Sequence, residues 1–317
     1  GLELGAAPAV DGAASGGVAV LKAAGGSAQE AFSALLAAEL GVRCPRVRVL
    51  DADGAERGAL VGEVSRLLRR DEAQHARIVG TYLRPAQLLL MEAAVRSAPL
   101  GELVRGATVD VLYDLGRVVG LDLLLANGDR MPVGGLWDRP GNAENFLFRD
   151  DGDGAWATIA LDQVCVHPNN AEMRGDYLAR LGRILATEGT LTEALRPTVA
   201  FLEREHGGPL LAGAVHLLAA GVRQAVRRAA RIPEGRPAAL VALVRGMAGT
   251  DRALWDESLS HVRPDFLCDV LAVCRSSAAH RVRFEREEGP GGLARVLDRA
   301  ARRAARADDA VEVFLDF

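Results

Sequence analysis

The sequence predicts an α+β protein in two parts, a small α+β lobe followed by a larger, mainly helical lobe. Three observations carry that expectation. The first 95 residues alternate β-branched runs with strongly patterned helical stretches. An apolar run, Gln87 to Val95, then empties into the polar stretch Arg96 to Gly101. From residue 107 onward apolar residues recur at helical spacing, interrupted by one loop- and strand-rich patch ending near Pro168. A chain of 317 residues accommodates one large or two smaller domains. The expected boundaries are 1–95 for the small lobe, 96–290 for the larger lobe and 291–317 for a C-terminal helical extension.

Taken in order, Leu4 to Val10 reads as a weak strand and Asp11 to Gly17 (DGAASGG) as a turn. Consecutive small residues leave backbone N–H groups free to point at an anion, so Ser15, Gly16 and Gly17 form a candidate phosphate loop. A plain hairpin turn fits the same residues, since DGAASGG is not G-x-G-x-x-G. Val18 to Lys22 (VAVLK) is a second strand. Residues 27–41 read as a helix, with Ser27 as cap, Glu30 as its capping-box partner and Gly41 as stop. Pro45 to Ala52 is a strand with proline at its start, where a missing donor is tolerated. Residues 55–80 give one or two helices, with Arg69 and Arg70 on a solvated face. Gln87 to Val95 is a buried strand leading into the linker, where free backbone groups suit an adenine edge. Val109 to Ala126 is a long apolar-striped helix. Further helices are expected near 173–187, 190–205, 210–230, 236–248 and 264–276. Residues 282–307 are charge-rich and amphipathic, broken by Gly289, Gly291 and Gly292.

Composition removes several function classes. The chain is 49% hydrophobic and 25% charged, ordinary for a water-soluble globular protein, and its formal charge of −4 argues against a nucleic-acid partner. The longest apolar stretch, Pro209 to Val222, is too short to span a bilayer. Cys44, Cys165, Cys268 and Cys274 form no C-x-x-C pair and the six histidines are scattered, so no zinc spacing is present. Unpaired thiols and the absence of a signal-peptide pattern give a cytoplasmic expectation. The start at Gly1 rather than Met is expected of a piece of a longer protein.

One bias is informative. Of 38 Lys plus Arg, a single residue, Lys22, is Lys. Surface charge tolerates Arg for Lys, but a site that needs a compact ammonium on a flexible stem does not. Lys22 is therefore a functional candidate. Asparagine is similarly concentrated: all five lie at Asn127, Asn142, Asn145, Asn169 and Asn170.

Those asparagines fall in or just beyond the stretch Leu121 to Pro168. An apolar helix ends there at Asn127 and Gly128, and a polar loop carries Asp129 and Arg130. Two short apolar runs, Asn145 to Phe148 and Thr158 to Val164, then face each other across an acidic turn, and the second carries Asp162. Two acids and an amide at strand ends are the set phosphoryl transfer requires. One carboxylate orients a hydroxyl, and a carboxylate with an amide oxygen holds magnesium. Either acid of the first helix, Glu30 or Glu39, is available to pair with Lys22, and Arg130 reads as structural, pairing with an acid or a carbonyl.

Lys on a strand, Glu on the next helix, a hinge strand, then Asp, Asn and Asp in order follows kinase logic. The sequence GDRMP, then Trp137, then GNAENFLF and ALDQV resembles the actin-fragmin kinase catalytic domain, an atypical protein kinase of the phosphoinositide-kinase-like branch. The resemblance covers about residues 10–170. It implies a two-lobed protein-kinase-like fold that uses ATP and Mg2+. By that resemblance Asp129 is the catalytic acid that orients the hydroxyl, Lys22 contacts the α/β-phosphates, and Glu30 orients Lys22. Asn145 and Asp162 are the metal ligands, with Asn142 close enough to compete. Ser15, Gly16 and Gly17 are the phosphate loop, and Met91, Glu92 and Ala94 the adenine hinge. The implied activity is that of a serine/threonine kinase on a cytoskeletal protein, actin or tubulin. Two other readings stand beside it: a phosphoinositide or small-molecule kinase, disfavoured by the nearly neutral CVHPNNAEMRGDY after Asp162, and a pseudokinase scaffold.

Overall fold

Helix α4 (Val109–Leu125) is the axis on which the rest of the chain is packed. Fourteen of its 17 residues are buried, so it is an interior helix rather than a surface one with a single apolar stripe. The computed structural model describes residues 19–23, 26–50, 54–69, 71–80, 88–92, 97–102, 109–150, 156–247 and 252–281. Within them α4 packs most extensively on α7 (Ala214–Ala229). Two glycines make that crossing close: a Cβ on Gly116 would stand 2.1 Å from the Leu218 carbonyl oxygen, and one on Gly221 would stand 2.0 Å from the Tyr113 carbonyl oxygen. Around this pair lie α5 (Ala171–Ala186), α6 (Glu188–His206), α8 (Arg236–Gly246), α9 (Arg252–Ser260) and α10 (Pro264–Arg281). Their apolar faces join one core that runs from Leu112 and Leu124 through Phe201, Leu218 and Trp255 to Phe266. Side-chain caps fix two of the entries. Asn170 accepts the Met173 N–H ahead of α5, and Thr187 forms a reciprocal box with Thr190 ahead of α6.

Two antiparallel sheets complete the α+β architecture. The first has the order β1 (Ala19–Ala23), β3 (Leu88–Glu92), β2 (Val47–Leu50), with Lys22 opposite Leu89 and Val49 opposite the same residue from the other side. A satellite core of Leu50, Val64 and Ile78 seats α2 (Ala55–Leu67) and α3 (Glu72–Ile78) against it. The second sheet has the order β4 (Ser97–Ala98), β5 (Phe146–Asp150), β6 (Trp156–Ala160). Helix α1 (Ser27–Leu40) contacts β2, α4, α7, α8 and α9, so it is shared between the first sheet and the helical body.

Several expectations are corrected. Ser27 is not the cap of α1: Gly26 is, and Ser27 is buried in the first turn. The Glu30 carboxylate is consequently spent on partners outside its own helix. Residues 97–98 do not form part of an open linker but pair with β5, while 100–102 make a 3-10 turn. The strand expected over Thr158 to Val164 ends at Ala160, and Asn145 closes a 3-10 turn rather than opening a strand. Helix α9 is a segment the sequence pattern does not predict. It carries few apolar residues, and its burial rests on Trp255, Ser258 and Leu259. The weak strand over 4–10, the loop holding Ser15, Gly16 and Gly17, Ala94, and the extension 291–317 lie outside the described residues.

Candidate active site

Lys22 leaves β1 and meets two carboxylates at once, Glu30 Oε1 from α1 and Asp162 Oδ1 from the turn after β6. Asp162 lies 140 residues from Lys22 in the sequence, and the fold brings the two into direct contact. The two acids are not equivalent. The Glu30 side chain is 4% exposed and that of Asp162 48%. Glu30 is an anchor, with its second oxygen accepting the Gln163 N–H at 3.1 Å. Asp162 keeps a face open to solvent and to a ligand. Glu39 is excluded as the partner of Lys22, because it pairs with Arg236 at 2.7 Å.

Charge states follow from these contacts. Burial disfavours the Lys22 ammonium, but Glu30 and Asp162 more than offset it and hold its pKa above the ordinary 10.5. Burial also pushes the Asp162 carboxyl upward, and the bond and charge of Lys22 reverse this, leaving it below its usual value. For Glu30 burial prevails over Lys22 and the Gln163 N–H, and its pKa is raised.

The backbone at Asp162 has φ of +50°, a left-handed conformation that Asp tolerates better than most residues. That turn ends the strand before Asp162 and lifts its carboxylate out of the sheet, which an extended β6 would not do. Its frame is a buried guanidinium. Arg130 is fully buried and pairs with Asp122. It also donates to the Asn145 carbonyl at 3.2 Å, the Leu161 carbonyl at 2.7 Å and Gln163 Oε1 at 2.8 Å. One side chain thus fixes both the residue before Asp162 and the residue that carries the Asn145 amide. The Leu161 N–H adds a bond to the Asn145 carbonyl at 2.9 Å.

Asp129 sits next to Arg130 at the surface. Its Oδ2 accepts from Asn145 Nδ2 at 3.4 Å, a long contact that leaves acceptor capacity for an incoming hydroxyl. The two asparagines differ in their partners. Asn142 Oδ1 caps the 3-10 turn by accepting the Glu144 N–H at 3.0 Å, and its amide donates to Asn145 Oδ1 at 3.2 Å. Asn142 therefore orients Asn145, whose Oδ1 retains a lone pair. Of the residues expected at the hinge, Met91 is buried in β3 and Glu92 is the last residue of that strand.

The motif that runs from Asp129 to Asn145 now has a physical reading. The Pro132 carbonyl accepts from Thr198 of α6 at 2.5 Å. Trp137 lies on Gly128, where a Cβ would come 2.8 Å from its ring, and donates to the Met131 carbonyl at 2.8 Å. Gly141 has φ of +82° and lies against the Phe201 ring, so glycine is required there on both counts. The Asn142 N–H returns to the Arg130 carbonyl at 3.0 Å. The long insertion is a pinned loop that hands Asn145 back beside Asp129.

Sequence reasoning missed Asp122, Gln163 and His167. Asp122 carried a signal, a lone acid inside the run LDLLLA. Burial pushes its carboxyl up to about 7 against the pull of Arg130. His167 is buried and neutral, with one ring nitrogen at 3.2 Å from the Leu124 carbonyl and the other accepting the Arg263 N–H at 3.0 Å. It ties the segment after Asp162 to α4 and α10. That segment is short, reaching α5 at Ala171.

A lysine between two acids, framed through one buried arginine to an acid–amide pair, is a set of groups of the kind phosphoryl transfer uses. Residues 10–185 match the family model described as "Actin-fragmin kinase, catalytic". That is more than half of the chain, which belongs to this family of atypical kinases. No curated protein matches the chain.

Proposed function

We propose that this chain is an ATP- and magnesium-dependent protein kinase that phosphorylates a serine or threonine hydroxyl of a cytoskeletal protein of the actin or tubulin class. The observation that carries the reading is the contact of Lys22 with both Glu30 and Asp162. In this reading residues 1–95 and 96–290 are the two lobes of a protein-kinase-like fold and 291–317 an extension. Met91, Glu92 and Ala94 would bind adenine, and Ser15, Gly16 and Gly17 would bind the phosphates. Lys22, held charged by its two acids, neutralises the α/β-phosphates. Glu30 holds Lys22 in position from the buried side.

Asn145 Oδ1 and the exposed oxygen of Asp162 are hard oxygen donors, which suits magnesium: the ion takes one or two carboxylates and completes its shell with phosphates and water. Among the described residues no cluster of three or more His, Cys, Asp or Glu is placed to hold a metal without such help. Held by Asn145 and Asp162, the ion would supply positive charge against the charge that develops on the phosphates. Asp129 accepts the proton of the attacking hydroxyl and orients it toward the γ-phosphorus. Catalysis is then mostly positioning, and the Arg130 frame supplies the rigidity.

Family membership and the nearly neutral segment after Asp162 favour a protein over a lipid substrate. Among the described residues no helix is long and apolar enough to cross a membrane. The test is transfer of labelled γ-phosphate to purified actin, actin–fragmin and tubulin, with phosphoinositide liposomes in parallel and mapping of any phosphosite. Label on a serine or threonine of one protein substrate supports the proposal. Label on lipid alone, or nucleotide binding without transfer to any of them, contradicts it.

A further inference from the structure

We infer that Arg139 is a catalytic residue whose guanidinium contacts the γ-phosphoryl group as it is transferred; the inference rests on the kinase reading above. Four observations place it there. Arg139 lies inside the loop between Asp129 and Asn145, and its Nη1 stands 3.8 Å from Asp129 Oδ1. Both side chains are more than half exposed, at 58% and 51%. An exposed pair of that length adds little to stability, so folding does not explain why a cation stands there. The backbone on either side is fixed by α6. Gly134 N–H donates to the Ala194 carbonyl at 2.8 Å, and Arg204 donates to the Pro140 carbonyl at 3.3 Å. A pinned loop therefore presents a guanidinium at the acid that receives the hydroxyl. Finally, Lys22 is the sole lysine of the chain and is committed to Glu30 and Asp162. A second permanently charged side chain for the terminal phosphate, beside the metal, would then be an arginine.

The step balances with no proton passing to or from Arg139, which stays a guanidinium cation. The substrate hydroxyl oxygen forms a bond to the γ-phosphorus as its proton passes to Asp129 and on to solvent. The bond from phosphorus to the β,γ-bridging oxygen breaks, and its electron pair leaves with ADP. Arg139 donates N–H bonds to the equatorial oxygens while they carry the charge. A planar fork suits two such oxygens, and a cation aimed at a transferring phosphoryl group acts mainly on turnover.

The experiment measures magnesium-dependent ATP turnover, with and without protein substrate, and the Kd values for magnesium complexes of ATP and ADP. The variants are Arg139→Gln, Arg139→Lys and, as an exposed-arginine control on α6, Arg196→Gln. The expected result is a loss of about a hundred-fold or more in turnover for Arg139→Gln. Its ADP affinity stays within twofold of wild type and its melting temperature is unchanged. Arg139→Lys recovers part of the loss, and Arg196→Gln matches wild type. Turnover of Arg139→Gln within threefold of wild type, or above it, overturns this inference and leaves the kinase reading standing. A rise would mark Arg139 as a competitor for Asp129. Wild-type protein that shows no turnover overturns both.

Discussion

Replacing Arg130 by Met is the severest single test of the site's frame. The substitution keeps most of the volume and removes a guanidinium that serves Asp122, two backbone carbonyls and Gln163. Breaking a buried ion pair by deleting one partner costs about 3–5 kcal/mol, because the remaining charge is left without compensation. That is a large share of the roughly 5–15 kcal/mol available to a whole domain. The effect also carries a pH signature. Burial already raises the folded-state pKa of Asp122 to about 7 from its ordinary 3.8, and losing Arg130 raises it further. An acid with a raised folded pKa favours folding at low pH and loses that contribution as pH rises through the window between the two values. Wild type and variant share that decline between about 4 and 7; above about 7 only the variant goes on losing stability, by at most ~1.4 kcal/mol per pH unit. The stability gap between wild type and Arg130→Met should therefore be constant below about pH 7 and widen toward pH 8. Urea denaturation at several pH values measures it, with an unchanged m-value showing that the unfolded state is comparable. Adding Asp122→Leu to Arg130→Met should recover much of the loss. A destabilisation below ~1 kcal/mol, or a gap that does not move with pH, would refute the assignment of Arg130 as the frame of the site.

Three further outcomes are expected. Glu30→Gln should cut ATP turnover by about a hundred-fold by freeing Lys22, whereas Glu39→Gln, which touches Arg236 instead, should leave it within twofold; steady-state kinetics separates the two. Gly221→Ala should cost about 1–3 kcal/mol, because its Cβ meets the Tyr113 carbonyl at 2.0 Å; Gly182→Ala on α5, with nothing within 4 Å, should be neutral or stabilising by up to ~1 kcal/mol. His167 is held neutral by burial, with a folded pKa lowered to about 4 from 6.5. Its contribution is present above pH 6.5 and lost as pH falls toward 4. Wild type should thus lose stability faster than His167→Gln on acidification over that window, as read by thermal melts.

Much of this arrangement is written in local sequence, and the rest is not for definite reasons. Lys22, Asp129, Asn145 and Asp162 stand out because rare or charged residues fall at element ends, where chain direction changes. The choice between Glu30 and Glu39 is invisible locally. They are nine residues apart, half a turn out of phase at 3.6 residues per turn, so one faces β1 and the other faces away. Which faces which depends on how α1 is docked between the first sheet and α8 and α9. The choice between Asn142 and Asn145 likewise rests on a 3-10 cap that spacing alone does not reveal. The apolar run Thr158 to Val164 reads as one strand through Asp162, whereas the left-handed turn at Asp162 accompanies bonds from Arg130, far away in sequence, to the residues on either side of it. Arg130 itself reads correctly as structural, but its partner Asp122 is hidden because a lone acid in an apolar helix has no local mark of what it will meet.

The central claim is that Lys22, Asp129, Asn145 and Asp162 act as one phosphotransfer site. The most direct measurement is ATP turnover, with and without magnesium, for Asp162→Ala beside wild type, with thermal melts to show that both are folded. Because Asp162 is half-exposed, the variant should remain folded. The account predicts magnesium-dependent turnover in wild type and a loss of about a thousand-fold or more in Asp162→Ala. Normal turnover in the folded variant would contradict it.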